Sequence, residues 1–109
     1  MRLKSDFVVS AALRKANEFA ISAFVLKKGD PDAGAIFLEL EIDRDAVQLF
    51  HRRFDFEENE VWECLNEGLS KPAHVISGQI EREIARDPDC WVIFVQDKHA
   101  RNIFTITSE

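Results

Sequence analysis

The sequence predicts an α+β domain in which two helices pack on one face of a largely antiparallel sheet of about six strands, in the order α-β-β-β-β-α-β-β. Three observations lead there. Two segments repeat apolar residues at helical spacing, one near the start and one between residues 72 and 86. Short runs between and after them alternate in polarity or are apolar throughout, as strands do. Clusters of Gly, Pro and Asp separate these runs. With 109 residues and no linker, repeat or low-complexity segment, the chain 1–109 reads as a single domain.

Ser5 and Asp6 are good helix N-caps, and apolar residues at 7, 8, 11, 12 and 16 follow at helical spacing, predicting a helix over 6–17. Ala11, Ala12 and Ala16 are small enough for close packing. From Phe19 to Leu26 the period changes to two with apolar residues in both sets, a strand covered on both faces. Gly29, Asp30, Pro31 and Gly34 make a turn. Ile36, Leu38, Leu40 and Ile42 then alternate with Glu39 and Glu41, a strand with one wet face, and the strand 47–52 returns after Asp43-Arg44-Asp45.

Residues 53–60 are mostly polar and read as a loop, and Val61 to Leu65 as a short strand. The second helix, over 72–86, has the stripe Ala73, Ile76, Ile80 and Ile84. Asp87-Pro88 stops it, because a residue before proline avoids helical geometry. Trp91 to Gln96 is an interior strand, and Ile103 to Ile106 is expected to close a hairpin.

Composition narrows the function. The chain is 46% hydrophobic and 31% charged, as globular proteins are, and nine Phe with two Trp and no Tyr allow a dry core. A net charge of −6 argues against a nucleic-acid partner, which needs a basic stripe. The apolar run Phe7 to Leu13 after Arg2 and Lys4 is short, has Asp6 at its start and is followed by Arg14-Lys15, so it is not expected to be a signal peptide. No run reaches the roughly 20 apolar residues of a membrane span. Cys64 and Cys90 form no Cys-x-x-Cys pair and read as small hydrophobes in a reducing cytoplasm.

The opening Met1-Arg2-Leu3-Lys4-Ser5-Asp6-Phe7, the turn and strand Gly29-Asp30-Pro31-Asp32-Ala33-Gly34-Ala35-Ile36-Phe37, and Arg82-Glu83-Ile84 with Asp87-Pro88-Asp89-Cys90-Trp91 form a recognisable combination. Together they resemble a family of small stand-alone bacterial proteins known only as a domain of unknown function. The likeness spans nearly the whole chain and is weakest over 52–70. It implies no reaction, ligand or partner, and it carries over no functional residue.

No reaction motif is present. The pairs Asp30/Asp32, Asp43/Asp45 and Asp87/Asp89 sit in predicted turns, where Asp bonds its own backbone, and none continues into a calcium loop. His51, His74 and His99 have no partner at metal-ligand spacing, so neither a metal nor another cofactor is expected. The candidate ligand residues are His51, Arg52 and Arg53 with the element-end pairs Arg14-Lys15 and Lys27-Lys28, six cations that would share one rim and receive an acidic or phosphate-bearing group. Asp32 is the candidate turn carboxylate.

Two readings follow. One is a non-enzymatic interaction module, a homodimer with an unknown protein partner, joined through Ile103, Phe104 and Ile106. That segment is uncharged with strong β-propensity, and only Thr107, Ser108 and Glu109 follow it. The other is a small enzyme or a phosphate- or acidic-ligand-binding domain around His51-Arg52-Arg53.

Overall fold

The computed structural model describes residues 2–107 and contains the elements α1 (Ser5–Glu18), β1 (Ser22–Lys27), β2 (Ile36–Asp43), β3 (Ala46–Phe54), β4 (Glu60–Cys64), α2 (Ala73–Arg86) and β5 (Trp91–Gln96). The α+β class is as expected. The sheet has five strands among the described residues, in the order β1-β5-β2-β3-β4. The pairings β1–β5, β2–β3 and β3–β4 are antiparallel, whereas β2 and β5 run parallel. β5 enters between β1 and β2, which keeps those two consecutive strands apart.

The sixth strand expected at Ile103–Ile106 is a turn. The Asn102 side chain accepts from Phe104 N–H at 2.8 Å, and its carbonyl accepts from Thr105 and Ile106. Those local bonds use the amides a ladder would need. Ile103 is buried in the core, and the Phe104 ring stacks on Trp62 at 4.2 Å between centroids. A β-forming sequence is thus folded down as a lid on the sheet.

The two helices lie on opposite faces, not on one. Ile36, Leu38, Leu40, Trp91, Ile93 and Val95 pack with Val9, Ala12 and Ala16 of α1. The alternate residues Phe37 and Val92, with Val47 and Leu49, pack with Ile76 and Ile80 of α2. The charges at Glu39 and Glu41 suggested a wet face, but β2 is the central strand and Glu39 is 7% exposed. Burial, then repulsion from Glu41, raises the Glu39 pKa.

The first helix is positioned by its start. Ser5 does not cap it: the N-cap is Lys4, without a side-chain bond. Ser5 is instead buried and donates its hydroxyl to the Gly34 carbonyl at 2.7 Å, while Ser5 and Asp6 N–H donate to Asp32 and Pro31. The helix runs on to Glu18, and Ala20 at φ 57° turns the chain, so β1 begins at Ser22 and not at Phe19. The expected loop 53–60 is a loop over 55–59 between the ends of β3 and β4, and at its tip the Asp55 carboxylate accepts from Glu57 and Asn59 N–H. Helix α2 and its stripe are as expected, and Asp87 leaves helical geometry at φ −140°.

Candidate functional site

Strand alternation divides the expected ligand cluster, because successive side chains point to opposite faces. His51 and Arg53 face α2, and Arg52 faces α1. His51 lies opposite Phe37 in the β2–β3 ladder, its ring stacked on the Phe37 ring at 4.7 Å and 11°. Burial pushes its pKa down, opposed mainly by Glu83 and Glu63. Among the described residues nothing hydrogen-bonds the imidazole, so the orienting partner a general base needs is absent there. Arg53 pairs with Glu63 at 3.3 Å on the surface.

Arg14 and Lys15 do not share a rim with these. α1 starts at the Gly34 turn and leads away from it, carrying Arg14 and Lys15 toward Ser22. Lys27 lies in the same cross-strand row as His51, three strands away, since Lys27 pairs Val92, Val92 pairs Phe37, and Phe37 pairs His51. Its ammonium donates to the carbonyls of Pro88 and Cys90, the latter at 2.9 Å. Lys28 is exposed, and Asp32 pairs with Lys4 at 3.6 Å.

Arg52 forms a different constellation. Its side chain is 7% exposed, with Nε 2.9 Å from Glu60 and Nη2 3.4 Å from the Leu3 carbonyl. Arg2 makes a two-point contact with Glu58, at 2.8 and 3.0 Å. The guanidinium carbons of Arg2 and Arg52 lie 4.0 and 4.8 Å from the centre of the Phe54 ring. Beside them opens a cleft of 270 Å³ floored by the small residues Ser5, Ala33, Gly34 and Ala35. Sequence reasoning missed Arg2 and Phe54, whose proximity depends on the N-terminal segment lying against the β3–β4 hairpin.

The sheet has two edges of unlike character. β4 carries Glu60 and Glu63, each paired with an arginine of β3. β1 presents Ser22 to Leu26 without a charge, with Phe24, Val25 and Leu26 all exposed. A bulge between Val25 and Lys27 leaves Leu26 outside the ladder. The uncharged character of 19–26 was legible in the sequence, but it resembles that of an interior strand equally well. The segment expected to be the bare edge instead lines a groove of 210 Å³ against α1, where Phe104 and Ile106 meet Leu3, Phe7 and Val8.

No group of three His, Cys, Asp or Glu residues among those described is placed to hold a metal ion. Burial raises the pKa of both Cys64 and Cys90, which keeps the thiols protonated and poorly nucleophilic. No helix among the described residues is long and apolar enough to cross a membrane.

Comparison with known proteins agrees with this picture of an unassigned domain. A family model described as a protein of unknown function, DUF1491, matches residues 3–105. No curated protein matches the chain. The crystal structure of a DUF1491 family protein from Caulobacter crescentus is similar with a TM-score of 0.84 at 27% identity, covering 99% of this chain and 100% of that one. The NMR structure of a DUF1491 family protein from the same organism gives 0.83 at 28% identity, over 100% of this chain and 98% of that one. The solution structure of protein Atu0922 from A. tumefaciens gives 0.79 at 26% identity, again over 100% and 98%.

Proposed function

The chain belongs to the DUF1491 family of proteins of unknown function, and from that premise we propose that it is a non-enzymatic interaction module that self-associates, two copies joining along the free edge of β1. The observation that carries this reading is the unguarded state of that edge. Exposed strand edges are ordinarily protected by inward-pointing or flanking charge, proline or a covering element. β4 is protected by Glu60 and Glu63. In β1 the one charged residue is Lys27, and its ammonium is bound to the carbonyls of Pro88 and Cys90, just before β5.

Antiparallel pairing of β1 with β1 of a second copy is self-complementary, as a two-fold dimer requires. It would satisfy the outward backbone groups of both strands and join two five-stranded sheets into one. Phe24, already 5.2 Å from Phe94 in its own chain, would add apolar contact beside the two-fold axis. The same edge would serve an extended segment of another protein. The non-enzymatic part of the reading is supported by the separation of His51 from Arg52 across the sheet. Residence in a reducing cytoplasm is supported by two buried or half-buried free cysteines. The alternative of an anion site now attaches to Arg52 alone of the three neighbours at 51–53.

An amide NMR dilution series tests the proposal. Signals of residues 22–27 should shift and broaden as concentration rises, with the β4 signals unchanged. Concentration dependence at β4, or at 103–106, with none at β1 would refute the assignment of the edge.

A further inference from the structure

We propose that the cleft between the N-terminal segment and the β3–β4 hairpin binds a small carboxylate, best a short dicarboxylate spanning Arg52 and Arg2. This does not depend on self-association, since the cleft lies on the β3–β4 side of the sheet, at the opposite end of the strand order from β1.

The Arg52 side chain is 7% exposed, and its guanidinium is only partly used. Nε is bonded to Glu60, Nη2 reaches Leu3 O at a long 3.4 Å, and Nη1 has no hydrogen-bond partner among the described residues. No buried side-chain nitrogen or oxygen among the described residues lacks a partner, so the spare N–H groups of Arg52 open to solvent and are free to donate to a ligand. Arg52 and Arg2 both line the 270 Å³ cleft. Its small-residue floor leaves room for a ligand, and its size falls just under the usual range of about 300–1,000 Å³ for ligand pockets, which suits a small acid and not a nucleotide.

Phe54 fixes the second donor. Both guanidinium groups pack on its ring, which anchors the two arginines to one residue at the cleft. Glu58 shows what Arg2 accepts there: a carboxylate in a planar two-point fork. Both members of that pair are more than half exposed, 53% and 59%, so the contact is weak and exchangeable. Glu58 therefore acts as an internal competitor, occupying Arg2 until a ligand carboxylate replaces it.

Titration of the full chain with succinate at constant ionic strength, followed by amide NMR, tests the site, with inorganic phosphate in parallel. Saturable shifts are expected at residues 2–5, 33–35 and 52–54. Glu58→Gln, a surface change, should tighten succinate roughly two- to fivefold. Arg52→Lys, which keeps the charge and removes the fork, should weaken it about tenfold with the remaining spectrum unchanged. No saturable shift at those residues, or no tightening in Glu58→Gln, would overturn the proposal even if the Arg52 variant fails to fold. Tighter binding of phosphate than of succinate would overturn the carboxylate assignment.

Discussion

Lys27 donates from Nζ to the carbonyl oxygen of Cys90 at 2.9 Å, and so spends on the start of β5 the charge that would otherwise guard the edge of β1. Hydrogen bonds from a charged donor contribute about 1.5–3 kcal/mol. Lys27→Met should therefore lower stability by about 1–2 kcal/mol in chemical denaturation, while leaving the mass of the native species unchanged. A variant as stable as the parent would show that the bond is incidental.

Gly29 is required by close approach. A Cβ there would run into the backbone carbonyls of Asp89 and Cys90, where no flexible side chain can give way. Gly29→Ala should cost more than about 2 kcal/mol, and thermal denaturation reads it. The same alanine at Gly68, at φ 77° but with nothing nearby, should cost only about 1 kcal/mol through backbone strain.

Asp97 closes the chain after β5. Its carboxylate accepts from Arg101 Nε at 2.8 Å, Nη2 at 3.0 Å and the backbone N–H at 2.9 Å. The Arg101 side chain, chiefly, holds its pKa down at about 2. An unfolded Asp titrates near 3.9. The stabilisation is therefore complete above about pH 4 and is lost as pH falls toward about 2. Asp97→Asn should lose about 2 kcal/mol at neutral pH, and denaturation curves of variant and parent should converge as pH approaches 2. A gap independent of pH over that window would mean that the ion pair is not its source.

Phe104 stacks on Trp62, so its role is to cover the sheet. Phe104→Ala should destabilise the fold by about 1–3 kcal/mol, judged by denaturant midpoint. The mass of the native species should not change. Dissociation of a dimer by this substitution would return the interface to the C-terminal segment.

The helices were legible from local spacing, and the α2 stripe Ile76-Ile80 is as expected. The α1 face is instead rotated from the expected stripe 7, 8, 11, 12 and 16: Phe7 and Ala11 are exposed, and Val9 joins Ala12 and Ala16 in the core. The class followed from them and from the alternation in β2. What failed was information that sequence spacing does not hold. Glu39 reads as solvent-facing in β2, yet the insertion of β5 beside that strand and the arrival of α2 make it an interior position. Ile103-Phe104-Thr105-Ile106 has strand propensity, but Asn102 captures its amides and Trp62 its ring. The cluster His51-Arg52-Arg53 is contiguous in sequence and divided in space by the strand's own period. The Arg2–Phe54–Arg52 cluster has the opposite history: no local pattern announces it, because the hairpin and the N-terminal segment meet only in the fold.

The central claim is that β1 is an interface, and light scattering coupled to size exclusion tests it most directly. The chain has a mass of 12.5 kDa. At micromolar concentration the parent should elute with a mass near twice that value. Phe24→Lys, which places a charge on the exposed edge without disturbing the core, should elute as a folded single chain. A parent that is monomeric at every accessible concentration, or a dimer that persists in Phe24→Lys, would contradict the account.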